Sequence, residues 1–306
     1  MANKRARRPV DGILVLNKPL AISSNHALQQ VKRLFNAAKA GHTGSLDPAA
    51  SGVLPICFGE ATKFSQYLLD ADKTYLSEFS FGVCTDSGDA DGQVVVECDA
   101  SALTQPTLQA ALAQFVGSIE QVPPMYSALK HQGQPLYKLA RQGKVVERKA
   151  RTVKIYAIEL QSFTAGARAT ATVQVSCSKG TYIRTLAEDI GAGLGCGAHV
   201  SKLHRTAAEP FEQSQMQDLD TLARLAASAD YEQLDKLLLP VDAGIKHLRA
   251  LEVDETQARA LRYGQQVWLG NDVSSGLVRV MLRAAFVGVA QIADDGYLKT
   301  QRLLST

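Results

Sequence analysis

Residues 41–55 read GHTGSLDPAASGVLP, a stretch that combines glycines and other small residues with a single carboxylate. Glycines flank His42, and small residues on both sides let a backbone come close to a ligand. Asp47 precedes Pro48, which is also the local pattern of a helix start with the carboxylate as N-cap. Local rules alone favour the helix start over a chemical role for Asp47, so the rest of the chain must decide.

Length and composition limit the number of domains, the size of the core and the kind of partner that this chain can have. The 306 residues suit two domains, or one large domain with an appendage. The content of 46% hydrophobic and 21% charged residues predicts a substantial core. The net charge of +3 permits a nucleic-acid partner without requiring one.

Charge is distributed unevenly along the chain. The basic residues are Lys4, Arg5, Arg7 and Arg8, then Lys138, Arg141, Lys144, Arg148, Lys149, Arg151 and Lys154. The acidic residues between 86 and 99 are Asp86, Asp89, Asp91, Glu97 and Asp99. We interpret these runs as one basic surface and one acidic edge, which would orient a polyanion. Ordinary solvated faces are an equal alternative at this point.

Cysteine usage and hydropathy indicate the compartment. Five cysteines with no Cys-x-x-Cys pair argue for a reducing compartment, and against a disulfide framework and a zinc ribbon. The basic N-terminus is not followed by an apolar run with a cleavage site. No uncharged apolar stretch approaches the roughly 20 residues that cross a bilayer. We therefore expect a soluble cytoplasmic protein.

Hydrophobic periodicity predicts most of the secondary structure. We expect a buried strand at residues 13–16, a helix capped by Ser23 or Ser24, and a turn-rich passage at 41–59. A helix near 61–69, strands at 73–83 and 93–98, and a helix capped by Thr104 should follow. Strict alternation over residues 167–178 predicts a half-buried antiparallel strand, after which Thr181 should cap a helix.

The order of these elements predicts the fold class. Strands and helices alternate irregularly, which indicates an α+β fold with a mainly antiparallel mixed sheet. A helical stretch at about 218–239 ends at Pro240, and glycine turns beyond His247 indicate a small β-rich domain. We predict a catalytic domain over residues 1–245, with an insertion at about 123–152, and a second domain over 246–306.

Two familiar ligand motifs fail on their context. Residues 87–98 resemble a calcium loop only in part, because Cys98 occupies the position of the bidentate glutamate. The Gly-x-Gly-x-x-Ala string at 193–198 follows a predicted helix instead of a strand, so it is better explained as a helix C-terminus than as a nucleotide-binding turn. We predict no metal site.

Several ordered motifs resemble the TruB family of bacterial tRNA pseudouridine-55 synthases. The stretch at 41–55 resembles the family signature, and residues 17–24 (NKPLAISS) resemble its N-terminal motif. Residues 59–63 (GEATK) and 72–75 (DKTY) resemble the segment with its active-site tyrosine. Residues 123–130 (PPMYSALK) resemble its RNA-facing insertion, and 177–186 (CSKGTYIRTL) its arginine motif. The likeness extends to about residue 210, and the region beyond His247 resembles the RNA-binding PUA domain less sharply.

The resemblance implies a role for each matching residue. Asp47 matches the catalytic aspartate, and Arg184 matches the arginine that would pair with it and keep the carboxylate ionised. Tyr75 matches the aromatic residue that stacks on the target base. The remaining matches are the substrate-pocket positions His42, Tyr182 and Leu203, and the pocket-floor positions Lys18 and Pro19. Without the resemblance, Tyr182 and Leu203 would be plain core residues and Lys18 a turn residue.

The resemblance also implies the reaction and the partner. The enzyme would isomerise uridine 55 in the T stem-loop of tRNA after flipping the base, without metal or organic cofactor. We expect a monomer with no obligatory protein partner, in which Lys130, Lys144, Arg148 and Lys149 contact the RNA backbone. A dyskerin-like synthase that uses guide RNA, and a non-catalytic tRNA-folding chaperone, remain open alternatives.

Overall fold

The computed structural model describes residues 6–305. Lys4 and Arg5, which belong to the predicted basic surface, lie outside these residues.

The strands are β1 (Gly12–Lys18), β2 (Ala40–His42), β3 (Ala50–Phe58), β4 (Lys73–Phe81), β5 (Val83–Thr85), β6 (Val94–Glu97), β7 (Gly117–Gln121), β8 (Lys130–His131), β9 (Gln134–Pro135), β10 (Arg151–Thr164), β11 (Thr170–Cys177), β12 (Ala198–Ala208), β13 (Phe211–Glu212), β14 (Gln217–Asp218), β15 (Arg249–Glu252), β16 (Val267–Trp268), β17 (Gly276–Leu282), β18 (Ala285–Ile292) and β19 (Tyr297–Leu303). The helices are α1 (Ser24–Leu34), α2 (Ser65–Leu69), α3 (Gln105–Ala113), α4 (Leu136–Ala140), α5 (Ile183–Gly193), α6 (Leu219–Ala227), α7 (Tyr231–Lys236) and α8 (Glu255–Arg262). Short 3₁₀ turns occupy Gly59–Phe64, Gln213–Gln215 and Ala243–Ile245.

Residues 12–218 contain a large mixed sheet. Among the described residues its strand order is β14-β1-β3-β12-β4-β11-β10-β7, with β2 added to β3 and β13 to β12. The pairs β1–β14 and β3–β12 are parallel, and the other pairs are antiparallel. The predicted α+β class with a mainly antiparallel mixed sheet is confirmed.

Helices cover the sheet at two places, and apolar side chains fill the space between. Leu108 and Leu112 of α3 and Leu186 and Ile190 of α5 join the core formed with β4, β10 and β11. A second core joins α1, α6 and α7 to β1 and β3. The inward residues of β11 are those that the alternating sequence pattern predicted, because buried and partly exposed residues alternate along the whole strand.

Local capping predictions are confirmed at two helices and wrong at a third. The Ser23 side chain accepts the His26 backbone N–H at the start of α1, and Thr104 caps α3. Helix α5 instead begins after Tyr182, and the side chain of Tyr182 makes no capping hydrogen bond. The Thr181 hydroxyl donates to the Ser178 carbonyl at 2.9 Å, so it stabilises the turn before the helix.

Two further predictions needed correction. The passage at 41–59 is not mainly turns, because β3 occupies nine of its residues and lies buried in the sheet. The stretch at 218–239 is not one helix, because Ala229 adopts a φ of +54° between α6 and α7 and interrupts the helical hydrogen bonds.

The C-terminal region forms its own sheet and packs on the first. Its order is β15-β17-β18-β19-β16, which confirms the β-rich prediction. Phe64 contacts Phe286 edge to face, and Arg279 donates to Asp242 Oδ2 at 2.7 Å in a mostly buried ion pair. The sheet starts at Arg249, near the predicted boundary at 245/246, and that boundary stays a prediction.

Candidate active site

Asp47 lies in the loop between β2 and β3. The two strands pair antiparallel, with His42 opposite Ile56. The Ala50 N–H donates to the Asp47 carbonyl at 3.0 Å, which closes a turn that leads directly into β3. The predicted helix start at Asp47 is therefore wrong. Strand β3 pairs with β1 and β12 over long sequence distances, and this pairing outweighs the local preference of Asp-Pro for a helix.

The start of α1 holds the Asp47 loop in place. The buried Ser24 hydroxyl accepts the Leu46 N–H at 2.7 Å and donates to the Leu46 carbonyl at 2.9 Å. The Ala21 N–H donates to the Pro48 carbonyl at 2.9 Å. These bonds fix the backbone on both sides of Asp47, so Ser24 of the N-terminal motif helps to position the aspartate loop.

Arg184 lies beneath Asp47 in the first turn of α5. Its Nη2 lies 3.0 Å from Asp47 Oδ2 and donates to the Tyr126 carbonyl at 2.7 Å. Its Nη1 donates to the Ser87 carbonyl at 2.9 Å and to Asp89 Oδ2 at 3.2 Å. The structure therefore brings together the predicted pair, and three further groups anchor the buried guanidinium.

Asp89 was not predicted as a site residue. It lies in the β5–β6 hairpin, 95 positions from Arg184, and its side chain is 13% exposed. The acidic residues near it also correct the predicted charge map, because Asp86, Asp89 and Asp91 line the same cavity as Asp47. They form a wall of the candidate site instead of an outer edge. The acidic run in the sequence was the available signal, but nothing in it indicated Arg184.

A cavity of about 850 Å³ opens above Asp47 and Arg184. One side is formed by the β5–β6 hairpin, and the other by the insertion, with Tyr126, Tyr137 and Arg141. Volumes of this size accommodate a small organic group such as a nucleoside. The cavity is polar around the ion pair and is lined by aromatic rings at the insertion.

The environment of Asp47 perturbs its ionisation. Burial raises the pKa of the carboxyl above its ordinary value, and the Arg184 guanidinium acts in the opposite direction. Asp89 and Asp91 raise the pKa further by repulsion, whereas Lys18 lowers it. Arg184 opposes the effect of burial but does not bring the pKa down to its ordinary value. The expectation that Arg184 keeps the carboxylate ionised stays a prediction.

Tyr75 and Leu203 lie on neighbouring strands of the large sheet. Tyr75 is buried on β4, opposite Arg205 of β12, and Leu203 pairs with Ala50 and Ser77. Burial raises the pKa of the Tyr75 hydroxyl, and the charge of Arg205 acts oppositely. Neither residue lines the open cavity, in contrast to Asp47, Arg184 and His42.

His42 and Tyr182 are half-buried. His42 lines the cavity, and burial and the charge of Arg205 lower its pKa, which favours the neutral imidazole. Among the described residues its Nδ1 has no hydrogen-bond partner. The Tyr182 backbone is fixed by Gln121, which accepts its N–H at 3.0 Å and donates to its carbonyl at 3.2 Å.

Lys18 is the last residue of β1, and Pro19 follows it directly. Lys18 is fully buried, and its Nζ donates to the carbonyls of Pro19 and Ile22 at 2.7 and 2.8 Å. Burial lowers the pKa of Lys18 to about 8, while Asp47 raises it and Arg205 lowers it. The amine thus folds the chain back on itself before α1, and the Pro19 side chain stays exposed.

The predicted RNA-contact residues differ in their exposure and in their hydrogen bonds within the protein. Lys130, Lys144 and Lys149 are exposed on the insertion, whereas Arg148 donates to the Pro123 carbonyl at 3.2 Å and is half-buried. At the N-terminus, Arg8 pairs with Asp235 and donates to the Phe35 carbonyl at 2.9 Å. Arg8 therefore stabilises the fold, and the prediction that it belongs to a free basic surface is wrong.

Sequence comparison identifies the family. The description "TruB family pseudouridylate synthase (N terminal domain)" matches residues 32–183, and C-terminal domains of the same synthases match 184–246 and 250–304. The chain is 53% identical over 302 residues to the tRNA pseudouridine synthase B of Pseudomonas aeruginosa, with 98% of each chain covered.

The chain belongs to the TruB family. The TruB synthase of Chromohalobacter salexigens is also similar, with 50% identity over 308 residues that cover 100% of this chain and 98% of the relative. Three-dimensional comparison of the TruB chain finds a Cbf5–Nop10–Gar1 complex, with a TM-score of 0.72 and 25% identity over 95% of this chain and 84% of that chain. An H/ACA ribonucleoprotein bound to a substrate RNA shares the fold at the same TM-score, with 23% identity over 96% and 85% of the chains.

The described residues contain neither a metal-binding cluster nor a membrane-spanning helix. Within residues 6–305, no group of three or more histidine, cysteine or acidic side chains is arranged to hold a metal ion. None of the described helices is long and apolar enough to span a membrane.

Proposed function

We propose that this TruB-family enzyme converts uridine 55 in the T arm of tRNA into pseudouridine, with Asp47 as its catalytic carboxylate. The observation that carries the proposal is the pair formed by Asp47 and Arg184. The carboxylate is accessible from the cavity while its arginine partner is buried and anchored by other groups. This arrangement presents one reactive oxygen to a bound ring.

The relatives support the substrate. Curated proteins about half identical to this chain, aligned over nearly its whole length, are tRNA pseudouridine synthases, so tRNA pseudouridylation is the activity. The choice of position 55 rests on the resemblance of residues 41–55 to the family signature.

The reaction exchanges one glycosidic bond for another. The bond between ribose C1′ and uracil N1 breaks, the detached base rotates, and C1′ bonds to C5, which then loses its proton while N1 gains one. Atoms and electrons balance without an oxidant or a leaving group. Asp47 would act by attack on the sugar, by attack on the ring or by removal of a sugar proton, and all three need an ionised carboxylate beside the bound nucleoside.

The other residues would hold the flipped base. Tyr75 would stack on uracil, and His42, Tyr182 and Leu203 would line its pocket, while Lys18 and Pro19 support the loop before α1. Since the open cavity does not reach Tyr75, we infer that the inserted base displaces side chains to contact it. Excluding water would keep the detached base from escaping.

RNA contacts would offset the cost of flipping. Removing a base from a stack costs a few kcal/mol, and phosphate contacts from Lys130, Lys144, Arg148 and Lys149 would contribute to offsetting it. The insertion carries these residues and also lines the cavity, so RNA binding and base capture would use one segment. We also propose that residues 246–306 act as a PUA-like RNA-binding domain.

A guide-dependent mechanism is the second candidate, because the fold is shared with a Cbf5–Nop10–Gar1 complex. The insertion beside the cavity favours an enzyme that recognises tRNA alone. We propose that it acts as a monomer in the cytoplasm. The discriminating experiment uses the purified chain and an unmodified tRNA transcript labelled with tritium at uridine C5. Release of tritium without any added guide RNA or protein supports the proposal. Release that requires a guide RNA would support the second candidate.

A further inference from the structure

Arg205 is a fully buried cation at the centre of the catalytic domain. It lies on β12 with 1% exposure, opposite Tyr75 of β4 and Gly52 of β3. Burying an arginine without compensation is costly, so its bonding pattern is informative. Among the described residues no carboxylate lies within ion-pair distance of it.

Its hydrogen bonds go to parts of the candidate site. Nε donates to the Val53 carbonyl at 2.7 Å, and Nη2 donates to the Gly44 carbonyl at 2.9 Å. Tyr75 lies opposite Arg205 in the pairing of β4 with β12, and the charge of Arg205 lowers the pKa of its hydroxyl. One planar group therefore bonds to β3 and to the loop that carries Asp47, beside Tyr75.

The backbone around Arg205 leaves little room for change. Gly52 adopts a φ of +104°, and a Cβ there would lie 2.2 Å from the Arg205 carbonyl. Gly44 adopts a φ of +69°, and a Cβ there would lie 3.5 Å from Arg205 Nη1. Glycine adopts these conformations routinely. Gly52 lets the backbone of β12 at Arg205 come close, whereas the distance at Gly44 corresponds to an ordinary contact with the Arg205 side chain.

We propose that Arg205 is a positioning residue of the reaction, which sets the Tyr75 ring and the Asp47 loop in one geometry for the flipped base. The inference rests on the proposed function. Arg205 acts through Tyr75 and Gly44 and has no contact with the cavity. Because its guanidinium has a fixed fork of donors, lysine keeps the charge but loses the simultaneous bonds.

The test compares Arg205→Lys and Arg205→Met in the full-length enzyme. Steady-state tritium release gives kcat and KM, and filter binding gives the tRNA affinity. We expect kcat to fall on the order of 10²-fold in both variants, since a displacement of about 1 Å can have this effect. The tRNA affinity should stay within about twofold. Lys202→Met, which removes an exposed charge from the same strand, is the control and should leave kcat unchanged.

A double-mutant cycle separates positioning from a general loss of stability. Tyr75→Phe removes only the hydroxyl of the ring that lies opposite Arg205, so adding Arg205→Lys to it should reduce kcat less than Arg205→Lys does alone. Additive losses would overturn the proposal, as would kcat values near wild type in both Arg205 variants. Failure of both variants to fold would assign Arg205 to stability alone and would also overturn it.

A spectroscopic measurement on the free protein does not depend on activity. The enzyme is labelled with 3-fluorotyrosine, and the ¹⁹F resonance of Tyr75 is assigned by its loss in Tyr75→Phe. Arg205→Lys should shift this resonance, and Lys202→Met should not. If wild-type protein released no tritium while this shift was observed, the proposed function would fail and the contact would stand. An unchanged Tyr75 resonance in Arg205→Lys would contradict the positioning role.

Discussion

Arg184 and Asp47 form an unequal ion pair. Nη2 and Oδ2 lie 3.0 Å apart, but the arginine side chain is 6% exposed and that of the aspartate 46%. Arg184 is anchored independently by the Ser87 and Tyr126 carbonyls and by Asp89. The arginine therefore keeps its place without Asp47, while the carboxylate depends on the arginine for its orientation.

Arg184→Lys should reduce activity more than it reduces RNA binding. Lysine keeps the charge but cannot reach Asp47, Asp89 and two carbonyls at once, so the carboxylate loses its fixed orientation. We expect kcat to fall on the order of 10²-fold. Tritium release and filter binding measure the two effects. A similar loss of kcat in Lys179→Met, which removes an exposed charge near the same helix, would contradict this reasoning.

The acid limb of the pH–rate profile should move when Asp89 is neutralised. Activity requires ionised Asp47, so kcat/KM falls as the pH drops through the Asp47 pKa, which burial raises. Asp89 raises this pKa by repulsion, and Asp89→Asn should therefore shift the limb to lower pH. Asp91→Asn should shift it in the same direction by less, because its influence is weaker. A shift to higher pH in Asp89→Asn would show that its bond to Arg184 dominates.

The salt dependence of tRNA binding should weaken when the insertion loses charge. Lys144 and Lys149 are exposed, and each phosphate contact contributes about 0.7–0.9 to the slope of log affinity against log salt. The Lys144→Ala/Lys149→Ala double variant should reduce the slope by up to about twice that amount. Lys236→Ala, an exposed lysine outside the insertion, is the control. An unchanged slope in the double variant would remove these lysines from the RNA interface.

Lys73 should make stability depend on pH. Burial lowers its folded-state pKa from 10.5 to about 8, so the unfolded chain binds more protons between these values. The contribution of this group to stability therefore rises with pH across that window. Lys73→Met should remove this contribution and leave that of Lys18, whose pKa burial also lowers to about 8. Urea unfolding of both proteins at pH 7.5 and pH 9 (values chosen to lie about the folded pKa) measures the difference. Cys57 and Cys177, whose pKa burial raises to about 12, act oppositely above pH 9 in both proteins and cancel in the comparison.

Local sequence signals predicted the elements that local bonds define. Ser23 and Thr104 cap their helices as expected, because a capping bond spans three residues. The helix predicted at Asp47 does not form, because β3 pairs with β12, in which Leu203 lies opposite Ala50. The bonds from Arg184 to Asp89 and from Arg205 to Gly44 join positions about a hundred residues or more apart, and no periodicity encodes them. The family motifs named Asp47 and Arg184 correctly as neighbours, but Asp89 and Arg205 became apparent only in three dimensions.

The most direct measurement is tritium release from tRNA by Asp47→Asn. Because Arg184 is anchored by three other groups, this variant should keep the geometry of the site and bind tRNA with wild-type affinity. We expect Asp47→Asn to release no tritium above background under conditions in which the wild-type enzyme turns over. Release of tritium by Asp47→Asn at a rate near that of wild type would contradict the assignment of Asp47 as the catalytic carboxylate.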